Sequence, residues 1–198
     1  MKVIGLTGGI ATGKSVFSSM LRKLGANVID ADQISRGLTA PGGAALPDIR
    51  GRFGGGVFGG DGRLDRAALA GIVFGDEMAR RALESIIHPL VIIESRAGLE
   101  SLRQAGAKAA ALEAPLLIEA GMDAMCDEVW LTYAPEPVQL ARLMERDHLT
   151  KEQARARIAS QAPFSDKARV ADLILPMVGL RVGICAMASR QWARVIES

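Results

Sequence analysis

The stretch Gly8-Gly9-Ile10-Ala11-Thr12-Gly13-Lys14-Ser15 governs how the rest of the chain reads, because it fits G-x-x-x-x-G-K-[ST] at every required position. It follows an apolar run, Val3-Ile4-Gly5-Leu6-Thr7, that reads as a buried strand. It opens a segment in which Val16, Phe17, Met20, Leu21 and Leu24 fall on one face of a helix. Strand, glycine-rich turn and amphipathic helix arrive in the order a phosphate-binding loop demands, which a chance turn would not need to do.

The chemistry accounts for the residue types. A triphosphate tail must be wrapped closely by backbone N–H groups, and glycine permits an approach that a side chain would block. The helix beginning near Lys14 adds N–H groups without intrahelical partners and the positive end of its dipole. Lys14 would neutralise β- and γ-oxygens, and the Ser15 hydroxyl would ligate the magnesium ion bridging them. Gly8, Gly9, Ile10, Ala11, Thr12, Gly13, Lys14, Ser15 and Val16 are therefore the expected triphosphate-binding set.

A chain of 198 residues supports one sizeable core with room for a small inserted subdomain. With 49% hydrophobic and 23% charged residues the composition is that of a soluble globular protein. A net charge of +2 leaves no global field to recruit nucleic acid or a membrane surface, so any basic site must be local. Cys126 and Cys185 lack metal-ligand spacing and read as reduced packing residues. Gly5, Gly8, Gly9 and Lys14 break up the N-terminal apolar run before a secretory h-region could form, and no stretch reaches the ~18 apolar residues of a spanning helix. The expected compartment is the cytoplasm.

Further along, Gly25 sits where a helix cap belongs, and Asn27-Val28-Ile29 reads as a second strand running into Asp30-Ala31-Asp32. Ligands of parallel α/β sheets bind outside the carboxyl ends of the strands, so either aspartate is a candidate general base. Either could instead cap the helix expected near Gln33-Ile34-Ser35-Arg36. Residues 39 to 63 read as a glycine-rich loop. Helices are expected from Asp65 and Asp76 as caps, with His88-Pro89 ending one helix and starting another. Ala109 to Glu119 begins as a buried strand and breaks at Pro115. Glu113, near that strand's end, has the placing of a magnesium-water ligand of Walker-B type, or of a charge that turns to solvent.

A fourth strand, Glu128 to Tyr133, precedes a helix with Arg142 and Arg146 one turn apart, so that both guanidiniums can face a common anion. Thr150-Lys151-Glu152-Gln153 is a capping-box pattern that opens the next helix. Residues 142 to 169 carry seven Lys/Arg against four Asp/Glu, a local excess of +3 that beside a phosphate loop points to a lid rather than a merely solvated face. A last strand, Leu173-Ile174-Leu175, and a terminal helix through Trp192, Val195 and Ile196 complete the pattern. About five strands alternating with helices specify an α/β fold, a parallel sheet covered on both faces. His88 and His148 have no partners for a zinc-type centre.

From end to end the chain resembles the dephospho-CoA kinases, which complete coenzyme A synthesis. The resemblance rests on Gly5-Leu6-Thr7-Gly8-Gly9-Ile10 with Gly13-Lys14-Ser15, Asp30-Ala31-Asp32 with Ile34 and Arg36, Phe53-Gly54, Asp61-Gly62 and Leu64-Asp65-Arg66. It continues through Leu83-Glu84 with His88-Pro89, Pro115-Leu116-Leu117-Ile118-Glu119, Arg142 with Arg146, Gln161, and Ala171-Asp172. Adenylate, guanylate and shikimate kinases share the loop without that ordered set.

The resemblance implies a three-layer P-loop kinase fold with strand order 2-3-1-4-5 in a single domain over 1–198. It implies a helical CoA-side subdomain over about 64–106 and a lid over about 136–170. It also implies Mg-ATP and transfer to the ribose 3′-hydroxyl of dephospho-CoA. By the same resemblance Lys14, Asp32 and Arg142 are catalytic, with Asp32 as the base or hydroxyl-orienting carboxylate, Asp30 second in that role, and Arg142 on the phosphate. Asp30, Asp32, His88, Leu116, Glu119 and Arg146 lie on the acceptor side. A monomer or weak homo-oligomer, with no nucleic-acid or membrane partner, is expected.

The family pattern has Gly-Ser where this chain has Ala11-Thr12, which fits if the Ala11 φ is negative. It has Asn where this chain has Met177, which removes an amide from the adenine side. The alternatives are a P-loop kinase with another small acceptor, or a nucleotide-dependent switch. The latter lacks support from any Asn-Lys-x-Asp run.

Overall fold

The computed structural model describes residues 1–197. β1 (Lys2–Gly8) leads through the glycine-rich turn into α1 (Lys14–Lys23), followed by β2 (Asn27–Asp30) and α2 (Ala31–Leu38). Then come α3 (Leu46–Phe53), α4 (Arg66–Gly75), the long α5 (Glu77–Gln104) and β3 (Ala109–Glu113). β4 (Glu128–Tyr133), α6 (Glu136–Asp147), α7 (Lys151–Ala159), α8 (Phe164–Ala168), β5 (Leu173–Pro176) and α9 (Arg181–Glu197) complete the chain. The strands form one five-stranded parallel sheet in the order β2-β3-β1-β4-β5, as the resemblance implied. β1 lies between its partners, with Ile4 opposite Ala111 of β3 and Glu128 of β4.

Two compact units share the chain: Met1–Ile29 together with the chain from Leu99 onward, and Asp30–Gly98. In the first, Ile4, Leu6 and Trp130 of the sheet pack against Phe17, Met20 and Leu21 of α1 and Ala188, Trp192 and Val195 of α9, all buried. Phe17 meets Trp130 edge to face, with centroids 6.2 Å apart. Val16 and Leu24, expected on this face, are about half exposed. The apolar stripe of α1 narrows to the three positions that touch the sheet, because Lys14, Ser18 and Arg22 occupy the adjoining flank at spacings of four. Gly25, at φ +83°, closes α1 as expected, and Ala26 N–H reaches back to Leu21 O.

In the second unit two expectations are corrected. The segment 39–63 is not a plain loop, since α3 forms within it. Pro47 sits in its first turn, where a missing N–H costs nothing, and the fully buried Ile49 anchors it. Nor does His88-Pro89 divide two helices, for α5 runs through Pro89 without a break. Val91 and Leu99 are buried on the turns after Pro89, and that packing keeps the helix going although the buried Ser95 hydroxyl between them has no hydrogen-bond partner. Asp65 and Asp76 cap α4 and α5 as read, each accepting two backbone N–H bonds.

Both cysteines are free. Cys126 packs against the core, and burial, with help from Asp123 and Asp127, pushes its thiol up to about 12. Cys185 is largely exposed, with its sulfur 3.9 Å from that of Met20. Among the described residues no helix is long and apolar enough to cross a membrane.

Glu128, at the start of β4, ties three elements together by accepting from Lys2 at 2.8 Å, Arg194 at 2.6 Å and Trp130 Nε1 at 3.0 Å. Burial pushes its carboxyl up, but hydrogen bonds from Arg194, Lys2 and Trp130 outweigh that and hold it at about 2. A depressed carboxylate stabilises the fold above its unfolded value of about 4.3, and that contribution disappears as pH falls through about 2. Urea unfolding from pH 6 to pH 2 is expected to show a loss of stability that Glu128→Gln flattens by about one proton's slope.

Candidate active site

The turn between β1 and α1 is built to face an anion. Gly13 occupies the cap position of α1 at φ +106°, and no side chain caps the helix, so its first N–H groups point at the loop's concavity. Space as well as backbone demands glycine there. A Cβ on Gly13 would lie 3.1 Å from Met177 Cβ, and one on Gly8 would lie 1.9 Å from Thr132 Oγ1. Met177, in the position where the family pattern has Asn, is buried beneath the loop. Its main chain holds the neighbourhood together: its N–H donates to Tyr133 O at 2.7 Å and its carbonyl accepts from Arg142 at 2.7 Å.

Side chains from outside the loop fix its shape. Thr12 is buried and donates to Gly9 O at 2.8 Å, while its hydroxyl stands 2.8 Å from that of Thr132. Arg142 of α6 donates through one nitrogen to the carbonyls of Ala11 (3.1 Å) and Thr12 (3.2 Å). Ile10 N–H donates to Gln161 Oε1 at 2.6 Å, linking the loop to the segment after α7. Arg146 does not share Arg142's target: it is more than half exposed and forks onto Asp147 at 2.7 and 3.0 Å, with Arg157 on the same carboxylate. One turn of helix puts the two arginines on neighbouring flanks, and Asp147 captures the outer one.

Ala11 also departs from expectation, with φ +57° rather than a negative value. The methyl group is tolerated at the cost of a left-handed backbone, because Arg142 and Thr12 hold the loop on either side of it.

Lys14 points its ammonium at Glu113 Oε1, 2.9 Å away, and both side chains are nearly closed to solvent. Glu113, at the end of β3, is thus buried rather than turned outward. Its second oxygen accepts from Ser18 Oγ and lies 3.5 Å from Arg22. Ser15 is exposed at the start of α1.

Pro115 to Glu119 forms a turn, and the buried Lys167 of α8 pins it by reaching Pro115 O and Glu119, each at 2.9 Å. Leu116 in this turn is partly exposed. Lys167 also lines a cleft of about 430 Å³, together with Gly9, Thr12, Tyr133, Gln161 and Phe164 among others. Tyr133 and Phe164 meet in it at a tilt of 45°, with centroids 4.6 Å apart.

Asp30, Asp32 and His88 belong to the second unit. Asp30 is the cap of α2, accepting from Asp32 N–H (2.9 Å) and Gln33 N–H (3.1 Å), so the helix starts at Ala31, earlier than read. That employs Asp30 and leaves Asp32 in the first helical turn. His88 lies within α5. Ser18, Arg22, Thr132 and Lys167 were not singled out by the sequence. Only Lys14, Ser18 and Arg22 had a legible signal, the polar repeat of four along α1.

A parallel sheet with this order, a glycine-rich turn after its central strand and an invading lysine define a phosphate-binding-loop kinase. The profile of the dephospho-CoA kinase family matches residues 2–179, and the chain belongs to that family. A dephospho-CoA kinase of Anaeromyxobacter dehalogenans is 45% identical over 190 residues, covering 96% of this chain and 90% of its own. A crystal structure from Thermus thermophilus superposes with a TM-score of 0.81 at 32% identity, covering 98% of this chain and 96% of that one. A dephospho-CoA kinase from Campylobacter jejuni does so with a TM-score of 0.68 at 26% identity, covering 100% of this chain and 98% of that one.

Relief of the strain at residue 11 is measurable. A left-handed alanine costs ~1–2 kcal/mol and glycine gives back ~0.4–1 kcal/mol in unfolded-chain entropy. Ala11→Gly is therefore expected to raise stability by about 0.5–1 kcal/mol in urea unfolding.

Proposed function

We propose that the chain transfers the γ-phosphoryl group of ATP to the ribose 3′-hydroxyl of dephospho-CoA, giving coenzyme A and ADP. The observation that supports this most is the loop itself, held by Thr12, Arg142 and Gln161 in a family member, with its lysine turned inward at the end of β3. Phosphoryl transfer asks little covalent chemistry of a protein. The barrier falls through positioning and through neutralising charge on the equatorial oxygens.

Each residue has a part in this. The backbone N–H groups at the start of α1 cradle the β-phosphate, and Lys14 leaves Glu113 to bridge β- and γ-oxygens. Arg142 donates to the loop carbonyls of Ala11 and Thr12 and supplies the lid's charge to the transferring phosphoryl group. Asp32 accepts the proton of the 3′-hydroxyl, with Asp30 fixing the helix that carries it. His88, Leu116, Glu119 and Arg146 contribute to holding the acceptor, and Val16 flanks the nucleotide set. The helices over about 64–106 form the CoA-side subdomain, and residues 136–170 form a lid that shields the transfer from water.

Magnesium fits this donor set as a guest of the nucleotide. Ser15 offers one exposed hydroxyl, and Glu113 is engaged by three donors, so phosphate oxygens and water must complete the shell. Among the described residues no cluster of His, Cys, Asp or Glu could hold the ion by itself. When bound it would neutralise charge on the triphosphate, with Ser15 the residue that would hold it. The protein acts in the cytoplasm as a monomer or weak homo-oligomer.

ADP release measured with and without dephospho-CoA, followed by mapping of the phosphorylated position, tests the assignment. Turnover should require the acceptor and label its 3′-oxygen. Asp32→Asn should lower kcat by about a hundredfold or more while ATP affinity holds. Lys14→Met should lower kcat by at least about a hundredfold in a folded protein. Unchanged turnover in Asp32→Asn would remove it from the mechanism.

A further inference from the structure

Lys14 is not idle in this structure. Its ammonium is paired at 2.9 Å with a carboxylate whose side chain is only 3% exposed. To serve a triphosphate it must leave that partner, and a carboxylate stripped of its counter-charge in such a place is costly. The chain carries a device that answers this cost. Along α1, Lys14, Ser18 and Arg22 repeat every four residues and so share one flank of the helix. Arg22 donates to Ser18 Oγ at 2.7 Å, Ser18 donates to Glu113 Oε2, and the second Arg22 nitrogen lies 3.5 Å from that oxygen. Glu113 thus has one cation on each oxygen, and only one of them is needed by the nucleotide.

We infer that Arg22, acting through Ser18, is a positioning residue for nucleotide binding: it holds and neutralises Glu113 so that Lys14 can pass from Glu113 to the phosphates. Arg22 touches neither nucleotide nor acceptor in this scheme. Its effect is on how tightly Glu113 retains the lysine. Without Arg22, Glu113 has a single cation, Lys14 is held harder, and its departure strands a buried negative charge. The cost falls on ATP binding and not on the transfer step, because Lys14 stands on the phosphates in both the ground state and the transition state once ATP is bound. The inference rests on the kinase reading of the loop.

The test is titration calorimetry with ATP in EDTA, which separates competition for the lysine from any metal role. Arg22→Met is expected to weaken ATP binding by about tenfold, and Arg22→Lys to recover most of it. With magnesium the same substitution should raise the KM for ATP by about tenfold and leave kcat within about threefold. In the Glu113→Gln background the Arg22→Met effect should shrink below about twofold, since no buried charge remains to be compensated. Should Arg22→Met melt near assay temperature, Ser18→Ala cuts the same link and should weaken ATP binding by about threefold.

Unaltered affinity in Arg22→Met, or an equal loss in the Glu113→Gln background, would overturn the inference. The second outcome would instead mark a long-range attraction between Arg22 and the triphosphate. Binding is read without acceptor, so failure to phosphorylate dephospho-CoA would count against the acceptor assignment alone.

Discussion

The buried ion pair between Lys14 and Glu113 is the constraint on which the site depends. It joins the first turn of α1 to the end of β3, the strand beside β1, and so registers the helix against the sheet at the mouth of the glycine-rich turn. Removing one partner of such a pair costs ~3–5 kcal/mol, far more than an exposed pair is worth. The pair also holds a flexible lysine at one place, beside the helix N-terminus where anionic oxygens are favoured. On the proposed function a nucleotide would meet a charge already in place, and Lys14 would exchange its carboxylate partner for phosphate.

The loop around that lysine is held by side chains that are not part of it. Thr132 of β4 braces Thr12, Arg142 of α6 ties two loop carbonyls to that of Met177, and Gln161 takes the Ile10 N–H. These bonds fix the backbone before any ligand arrives, which lowers the ordering cost of binding. They also connect the loop to α6 and to the segment after α7. The left-handed Ala11 sits between two of these ties and persists because they over-determine it.

Much of this was legible in the sequence because it depends on local signals. The motif, the buried runs of the strands and the caps at Asp65, Asp76 and Thr150 each follow from short-range rules, and the capping box at Thr150-Gln153 is formed as read. The misreadings occurred where tertiary packing outweighed local preference. Pro89 lies inside a helix because buried residues after it hold the next turns inward, and α3 arises in a glycine-rich stretch because Ile49 finds a core. The burial of Glu113 was illegible because its three donors lie some ninety residues away on α1. Arg142 and Arg146 have the right spacing to share an anion, but the sequence does not say that Asp147 takes one of them.

The central claim is that Lys14 exchanges Glu113 for the nucleotide at the N-terminus of α1. A crystal structure with a non-hydrolysable ATP analogue tests it most directly. The account predicts the β-phosphate on the N–H groups of Gly13 and Lys14, with the ammonium on phosphate oxygens and out of hydrogen-bonding distance of Glu113. An analogue bound elsewhere, or bound at the loop with Lys14 still on Glu113, would contradict it.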